Sequence, residues 1–175
     1  MRTILILDDE IHVLHALQRA LRLHFPPGAL HIELFSDPFD ALSRCTEFQF
    51  DIALSDFRMP VMSGVEFLRN LKELVPGTVR IMLSASTEFD TVTSAVNEAE
   101  VFRYLSKPWE IEDLHHNLEL AFGHRDGILE EQRLADQQRL HHGFLTPQEL
   151  EAKRLEAADP GIMKVNWGPD GEVIL

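Results

Sequence analysis

Apolar residues keep two different spacings along the first 124 residues, and the switch between them predicts strands and helices in turn. Thr3 to Leu7 is a β-branched, apolar run and predicts strand one. From Ile11 the spacing becomes helical through Leu14, Leu17 and Leu21, and Pro26-Pro27-Gly28 ends the segment. His31 to Phe35 predicts strand two. Ser36-Asp37-Pro38 then supplies an N-cap and a first-turn proline for a helix carrying Ala41, Leu42 and Cys45. Ile52, Ala53 and Leu54 predict a buried strand three that stops on Asp56. Val65, Phe67, Leu68, Leu71 and Leu74 form a third helix, closed by Pro76-Gly77. Val79 to Leu83 predicts strand four, Asp90 to Ala99 a fourth helix, and Val101 to Leu105 strand five, with a fifth helix after Lys107-Pro108. Strands alternating with helices in this way predict a parallel α/β domain over residues 1–124, with right-handed crossovers.

The fifth helix has apolar positions beyond that domain. Ile111, Leu114, Leu118 and Ala121 continue into Ile128, Leu129, Leu134 and Leu140, so residues 125–143 read as an extended helix or linker. Gly123 and Gly127 each cost about 1 kcal/mol against alanine in a helix interior, which predicts a kink or break there. Residues 144–175 read as a short helix plus a β-hairpin tail. Thr146 is the N-cap and Glu149 its capping-box partner, and Asp159-Pro160-Gly161 stops the helix. Ile162 to Trp167 and Glu172 to Leu175 flank the turn Gly168-Pro169-Asp170-Gly171. No internal repeat or low-complexity tract interrupts this order.

Composition narrows the function classes. A chain of 175 residues holds one good core with length left for an appendage. Its net charge of −13 argues against a broad nucleic-acid or anionic-membrane surface. Residues 125–175 carry ten acids and six bases, so the tail shares that bias. The single cysteine, Cys45, forms no internal disulfide and belongs to no zinc cluster. The apolar stretch at the N-terminus is too short for a signal peptide, and no run approaches the about 18 residues of a spanning helix. The expected location is the cytoplasm.

Candidate chemistry collects where strands end. In a doubly wound, flavodoxin-like sheet of order 2-1-3-4-5, the carboxyl ends of strands one and three meet at the switch point, where ligands bind. Asp8-Asp9-Glu10 follows strand one, Asp56 ends strand three, Ser84 follows strand four and Lys107 follows strand five. That placement brings Asp8, Asp9 and Asp56 together. Like charges in one site resist ionisation unless a cation joins them, and Mg2+ is the natural occupant because it takes carboxylate, water and phosphate oxygens. A lysine and a serine opposite the metal would meet an incoming phosphoryl group. The implied reaction is phosphoryl transfer to a carboxylate.

Four pieces carry a family resemblance: Leu5-Ile6-Leu7-Asp8-Asp9-Glu10, Ser55-Asp56-Phe57-Arg58-Met59-Pro60 with Gly64, Ile81-Met82-Leu83-Ser84-Ala85, and Tyr104-Leu105-Ser106-Lys107-Pro108. In this order and spacing the chain resembles a response-regulator receiver domain of two-component signalling, of a stand-alone type with a short C-terminal extension. The resemblance implies that Asp56 accepts a phosphoryl group from a histidine-kinase phosphohistidine. It implies that Asp9, Asp56 and the Arg58 carbonyl bind magnesium, with Asp8 orienting a metal water. Ser84 and Lys107 would contact the phosphoryl group, and Tyr104 would turn inward with Ser84. Lys107-Pro108 would be a cis peptide bond, which proline makes accessible. Arg58 and Ser86 stand where the family tunes loss of the phosphoryl group. No independent enzyme is expected beyond magnesium-dependent self-phosphorylation and slow autodephosphorylation.

Each feature alone has a plainer explanation. Asp8-Asp9 serves as a helix N-cap pair, Asp56 as a turn residue, Lys107 as a solvated side chain and Tyr104 as core; together these require four coincidences at strand ends. His12 and His15 fit a solvated helix face, and the pairs His115-His116 and His141-His142 point to different sides of a helix. Leu145-Thr146-Pro147-Gln148-Glu149-Leu150 resembles the start of a LuxR-type helix-turn-helix, but an acidic hairpin follows it, so no nucleic-acid or membrane partner is expected. The Asp8-Asp9 segment departs from the Asp-x-Asp order of haloacid-dehalogenase phosphatases. Lys107-Pro108-Trp109 and the run-on helix resemble receivers joined to HD-GYP phosphodiesterase modules, whose His-Asp pairs this sequence lacks. The expected partners are a sensor histidine kinase or histidine phosphotransfer protein and an unnamed downstream protein. A homodimer through the fourth helix, strand five and fifth helix, or through the extended helix, is also in view. The alternative function is a phosphorelay intermediate passing its phosphoryl group to a histidine phosphotransfer domain.

Overall fold

Strands β1 (Arg2–Leu7), β2 (Leu30–Phe35), β3 (Ile52–Asp56), β4 (Val79–Ala85) and β5 (Arg103–Lys107) form one parallel sheet in the order β2-β1-β3-β4-β5. The predicted order is the observed one. The computed structural model describes residues 1–85, 99–158, 166–167 and 173–174. The predicted fourth helix therefore lies outside the described residues except for Ala99, which is buried.

Period-two alternation along the strands builds a core on each face of the sheet. Ile4, Ile6, Ile52, Leu54, Ile81 and Leu83 pack with Leu14, Leu17 and Leu21 of α1 (Ile11–His24) and Leu114 and Leu118 of α4 (Ile111–His141). Leu5, Leu7, Ala53 and Met82 pack on the other side against Ala41 and Cys45 of α2 (Pro38–Cys45) and Phe67, Leu68 and Leu71 of α3 (Gly64–Leu74). Burial of both faces explains why β1 and β3 read as nearly unbroken apolar runs.

Local capping agrees with the sequence. Asp37 accepts from the Phe39 and Asp40 amides at 2.7 and 3.3 Å and starts α2. Thr146 and Glu149 form the predicted capping box at α5 (Pro147–Ala158), with the Thr146 amide donating to Glu149 at 2.7 Å and the Glu149 amide to Thr146 Oγ1 at 3.2 Å. In the tail, β6 (Asn166–Trp167) and β7 (Val173–Ile174) pair antiparallel.

Helix α4 departs from expectation. It runs for 31 residues with no break at Gly123 or Gly127. A Cβ at either glycine would meet nothing within 4 Å, so both sit on an open face. The opposite face is held by buried Leu118, Ala121, Phe122 and Arg125. Arg125 Nη1 donates to the Gly77 carbonyl at 2.9 Å, and Nε lies 3.6 Å from Asp51. One residue on, Asp126 accepts both Nη groups of Arg2 at 2.6 and 2.7 Å. These tertiary bonds outweigh the glycine propensities. Lys153 of α5 reaches Asp136 at 2.9 Å, which lays α5 against α4. Among the described residues no helix is long and apolar enough to cross a membrane.

Candidate functional site

Sheet register places the site. Leu7 of β1 is opposite Ser55 of β3, so the next residues, Asp8 and Asp56, leave the sheet side by side. Asp56 is opposite Leu83, which sets Ser84 one step beyond it, and Ala85 is opposite Lys107. All four candidate side chains thus emerge at one end of the sheet, at the switch point between β1 and β3.

Lys107 joins the two carboxylates. Its ammonium donates to Asp8 Oδ2 at 2.6 Å and is ion-paired with Asp56 Oδ1. The second oxygen of each carboxylate is also engaged. The Arg58 amide donates to Asp56 Oδ2 at 2.7 Å, and the Glu10 amide to Asp8 Oδ1 at 2.9 Å. Asp8 is 1% exposed and Asp56 6%, so this is a charge cluster largely withdrawn from water. Burial pushes the Asp8 carboxyl above the usual aspartate range, against the opposing pull of Lys107 and the Glu10 amide. Burial works to lower the Lys107 pKa, but hydrogen bonds to Asp56 and Asp8 outweigh it and hold the ammonium above its ordinary value.

The other candidates are placed less uniformly. Asp9 is exposed at the rim while Asp8 is buried, as expected where successive residues of an extended segment face opposite ways. The structure therefore closes two carboxylates on Lys107 rather than gathering three. Among the described residues, no group of three or more His, Cys, Asp or Glu side chains is arranged to hold a metal ion. The donors themselves are carboxylate and carbonyl oxygens, the hard ligands that suit magnesium. Ser84 is buried, and its hydroxyl donates to the Ala85 carbonyl at 3.3 Å. Tyr104, opposite Met82, is half-buried against the core on the α2–α3 side. The Lys107-Pro108 bond is cis. Ser86 lies outside the described residues.

Two contributors had no part in the sequence argument. The backbone amides of Glu10 and Arg58 orient the carboxylates, and no side-chain pattern announces them. Gly64, which the sequence offered only as part of the resemblance, starts α3 against the Asp56 backbone; a Cβ there would stand 1.9 Å from the Asp56 carbonyl oxygen. Only a residue without a side chain allows that approach.

A family model described as the response regulator receiver domain matches residues 4–119. The chain belongs to this family. Among its relatives, the hydrogenase transcriptional regulatory protein HoxA of Bradyrhizobium diazoefficiens is 35% identical over 112 residues, 64% of this chain and 22% of that one. The DNA-binding transcriptional regulator NtrC of Proteus hauseri is 31% identical over 119 residues, 68% of this chain and 24% of its own. The matched region spans about a quarter of the length of these curated relatives. Among solved structures, the signal receiver domain of an HD domain-containing protein from Pseudomonas fluorescens Pf-5 superposes with a TM-score of 0.68. The two are 29% identical, over 74% of this chain and 92% of that one. An adenylate cyclase structure from Rhodopirellula baltica gives 0.69 at 28% identity, over 77% and 97%. The receiver fold is thus common to proteins named for quite different outputs.

Proposed function

We propose that this receiver accepts a phosphoryl group on Asp56 from the phosphohistidine of a histidine kinase and changes its affinity for a downstream protein. The observation that carries this is the pairing at Asp56: one carboxylate oxygen on Lys107, the other on the Arg58 amide. Asp56 Oδ attacks phosphorus, the P–N bond breaks, and its electron pair stays with the protonated ring, which leaves as neutral imidazole. Lys107 is placed to follow negative charge from the carboxylate to the phosphoryl oxygens. Ser84, one residue beyond the position opposite Asp56, is placed to donate to one of them. Asp8, Asp56 and the Arg58 carbonyl would hold magnesium, and Asp9, exposed at the rim, would have to turn inward to join them. The metal would supply positive charge to the phosphoryl oxygens. Tyr104, packed beside Met82 and near the start of α4, is the side chain through which Ser84 movement would reach the surface of β5 and α4.

The test is labelling with phosphoramidate and magnesium. Wild-type protein gains the mass of one phosphoryl group on Asp56, and Asp56→Asn gains none. Unlabelled wild type, or a label that survives Asp56→Asn, overturns the proposal.

A further inference from the structure

Arg80 and Arg125 are buried alike, at 7% and 6% exposure, yet their guanidinium groups are satisfied very differently. Arg80 spreads its N–H groups over the carbonyls of Ala99, Pro76, Thr78 and Glu100. Among the described residues Arg125 makes one hydrogen bond, from Nη1 to the Gly77 carbonyl at 2.9 Å. Its Nε is sealed from solvent without a hydrogen-bond partner, because the nearest oxygen of Asp51 stands at 3.6 Å. Its Nη2 has no partner there either, but is not sealed. A guanidinium carries five N–H donors, and buried donors are rarely left unused.

The unused donors border a cavity. It holds about 270 Å³ between the α3–β4 turn and α4, with Arg125 in its wall. Leu74, Val75, Pro76 and Leu129 make much of the remaining lining apolar, and the exposed Gln49 and Gln132 bring amides to the rim. A water bridging Nε and Asp51 would take about 30 Å³, a small part of that space. Apolar walls with a few placed polar groups are how small-molecule sites are usually built. Asp51 and Thr78 directly precede β3 and β4, so the cavity lies at the opposite pole of the sheet from Asp56.

Charge narrows the ligand. Apart from Arg125 the lining residues are uncharged, and Asp51 beside it balances the guanidinium. Asp51 is itself committed, accepting from the Thr3 amide at 2.9 Å. An added anion would meet that carboxylate and a chain of net charge −13. A neutral acceptor meets neither, and it still takes the Nη2 donor.

We propose that this cavity binds a small neutral molecule with an apolar body and one amide or ketone oxygen. The oxygen accepts from Arg125 Nη2, and the body packs on Leu74, Pro76 and Leu129. The site is separate from Asp56 and does not depend on the chemistry there.

The probe is ε-caprolactam, a cyclic amide, set against cyclohexanecarboxylate, which is similar in size but charged. Titrated into isotope-labelled protein and followed by NMR, the lactam should saturably shift the Gly77 and Thr78 amides and the Arg125 Nε–H signal. A Kd on the order of 1 mM is expected for so few atoms. The carboxylate should bind about tenfold more weakly. Leu129→Trp and Gln132→Phe fill the cavity from exposed positions, and each should weaken the lactam about tenfold. No saturable shift at these signals, or binding undiminished in the filled variants, overturns the site. Carboxylate binding as tight as that of the lactam overturns the assignment to a neutral ligand.

Discussion

The carbonyl oxygen of Asp56 lies 1.9 Å from the point where a side-chain carbon on Gly64 would stand. The Gly64 amide donates to the Phe57 carbonyl at 3.0 Å, so the loop after β3 and the first turn of α3 are bonded face to face. Replacing Gly64 by alanine must push backbone from backbone, because no flexible side chain is there to yield. We expect Gly64→Ala to cost about 3 kcal/mol in urea unfolding and to slow phosphoramidate labelling of Asp56. Wild-type stability in this variant would contradict the close approach.

Lys107→Met should leave two neighbouring carboxylates without their cation. Breaking such a largely buried pair costs about 3 kcal/mol at neutral pH. Lowering the pH, which neutralises Asp8, should restore part of that loss. Equal losses at neutral and acid pH would mean that the ammonium acts through packing alone.

Asp8 should make stability depend on pH in a definite direction. Its folded-state pKa is raised, with burial the leading cause, so the folded chain keeps a proton that the unfolded chain has released. Stability from this group therefore falls as pH rises from the ordinary aspartate value through the raised one. Asp8→Asn removes that slope. The variant should gain on wild type above this window and lose its advantage below it, as read from urea midpoints across pH. Lys107 works at the other end of the scale. Its pKa is raised, so its contribution is complete below the ordinary lysine value and is lost as pH climbs through the higher folded value.

Cys45 should be chemically silent. It is 2% exposed between α2 and the sheet, and burial pushes its thiol up to about 12. Thiol reagents at neutral pH should react with it only after unfolding. Rapid labelling of the native protein would show that α2 opens.

Arg125→Met should weaken the hold on α4. The substitution removes the bond to Gly77 and the charge facing Asp51, though Asp51 keeps the Thr3 amide at 2.9 Å. We expect a loss of about 2 kcal/mol and faster amide exchange over residues 126–141. Unchanged exchange there would place the anchor at Arg2–Asp126 instead.

The sheet and the two central carboxylates were legible in the sequence because both follow from chain direction. An apolar run that stops on Asp56, and another that stops before Asp8, must deliver those residues to the same edge once the strand order is assumed. Asp9 was less legible, since which of two adjacent acids turns inward is decided by the backbone where β1 ends. The continuity of α4 was hidden for a different reason. Gly123 and Gly127 weaken a helix locally, whereas Arg125 and Asp126 hold it through residues 48 and 124 positions away in the chain. A signal for Arg125 did exist: it extends the buried series Leu114, Leu118, Ala121, where a hydrophobic residue would be expected. Arg80 gave the same signal inside the apolar run of β4, and it is likewise buried, donating to the Ala99 and Thr78 carbonyls at 2.9 and 2.8 Å.

At 1.5 Å per residue, α4 is a rod about 46 Å long, and Arg125 grips it close to the middle. A rod held there is a cantilever. Its first arm is clamped to the sheet by Leu114, Leu118 and Ala121; its second is mostly exposed and carries α5. A tilt of about 5° beyond Arg125 would move the far end by about 2 Å while the clamped arm keeps its packing.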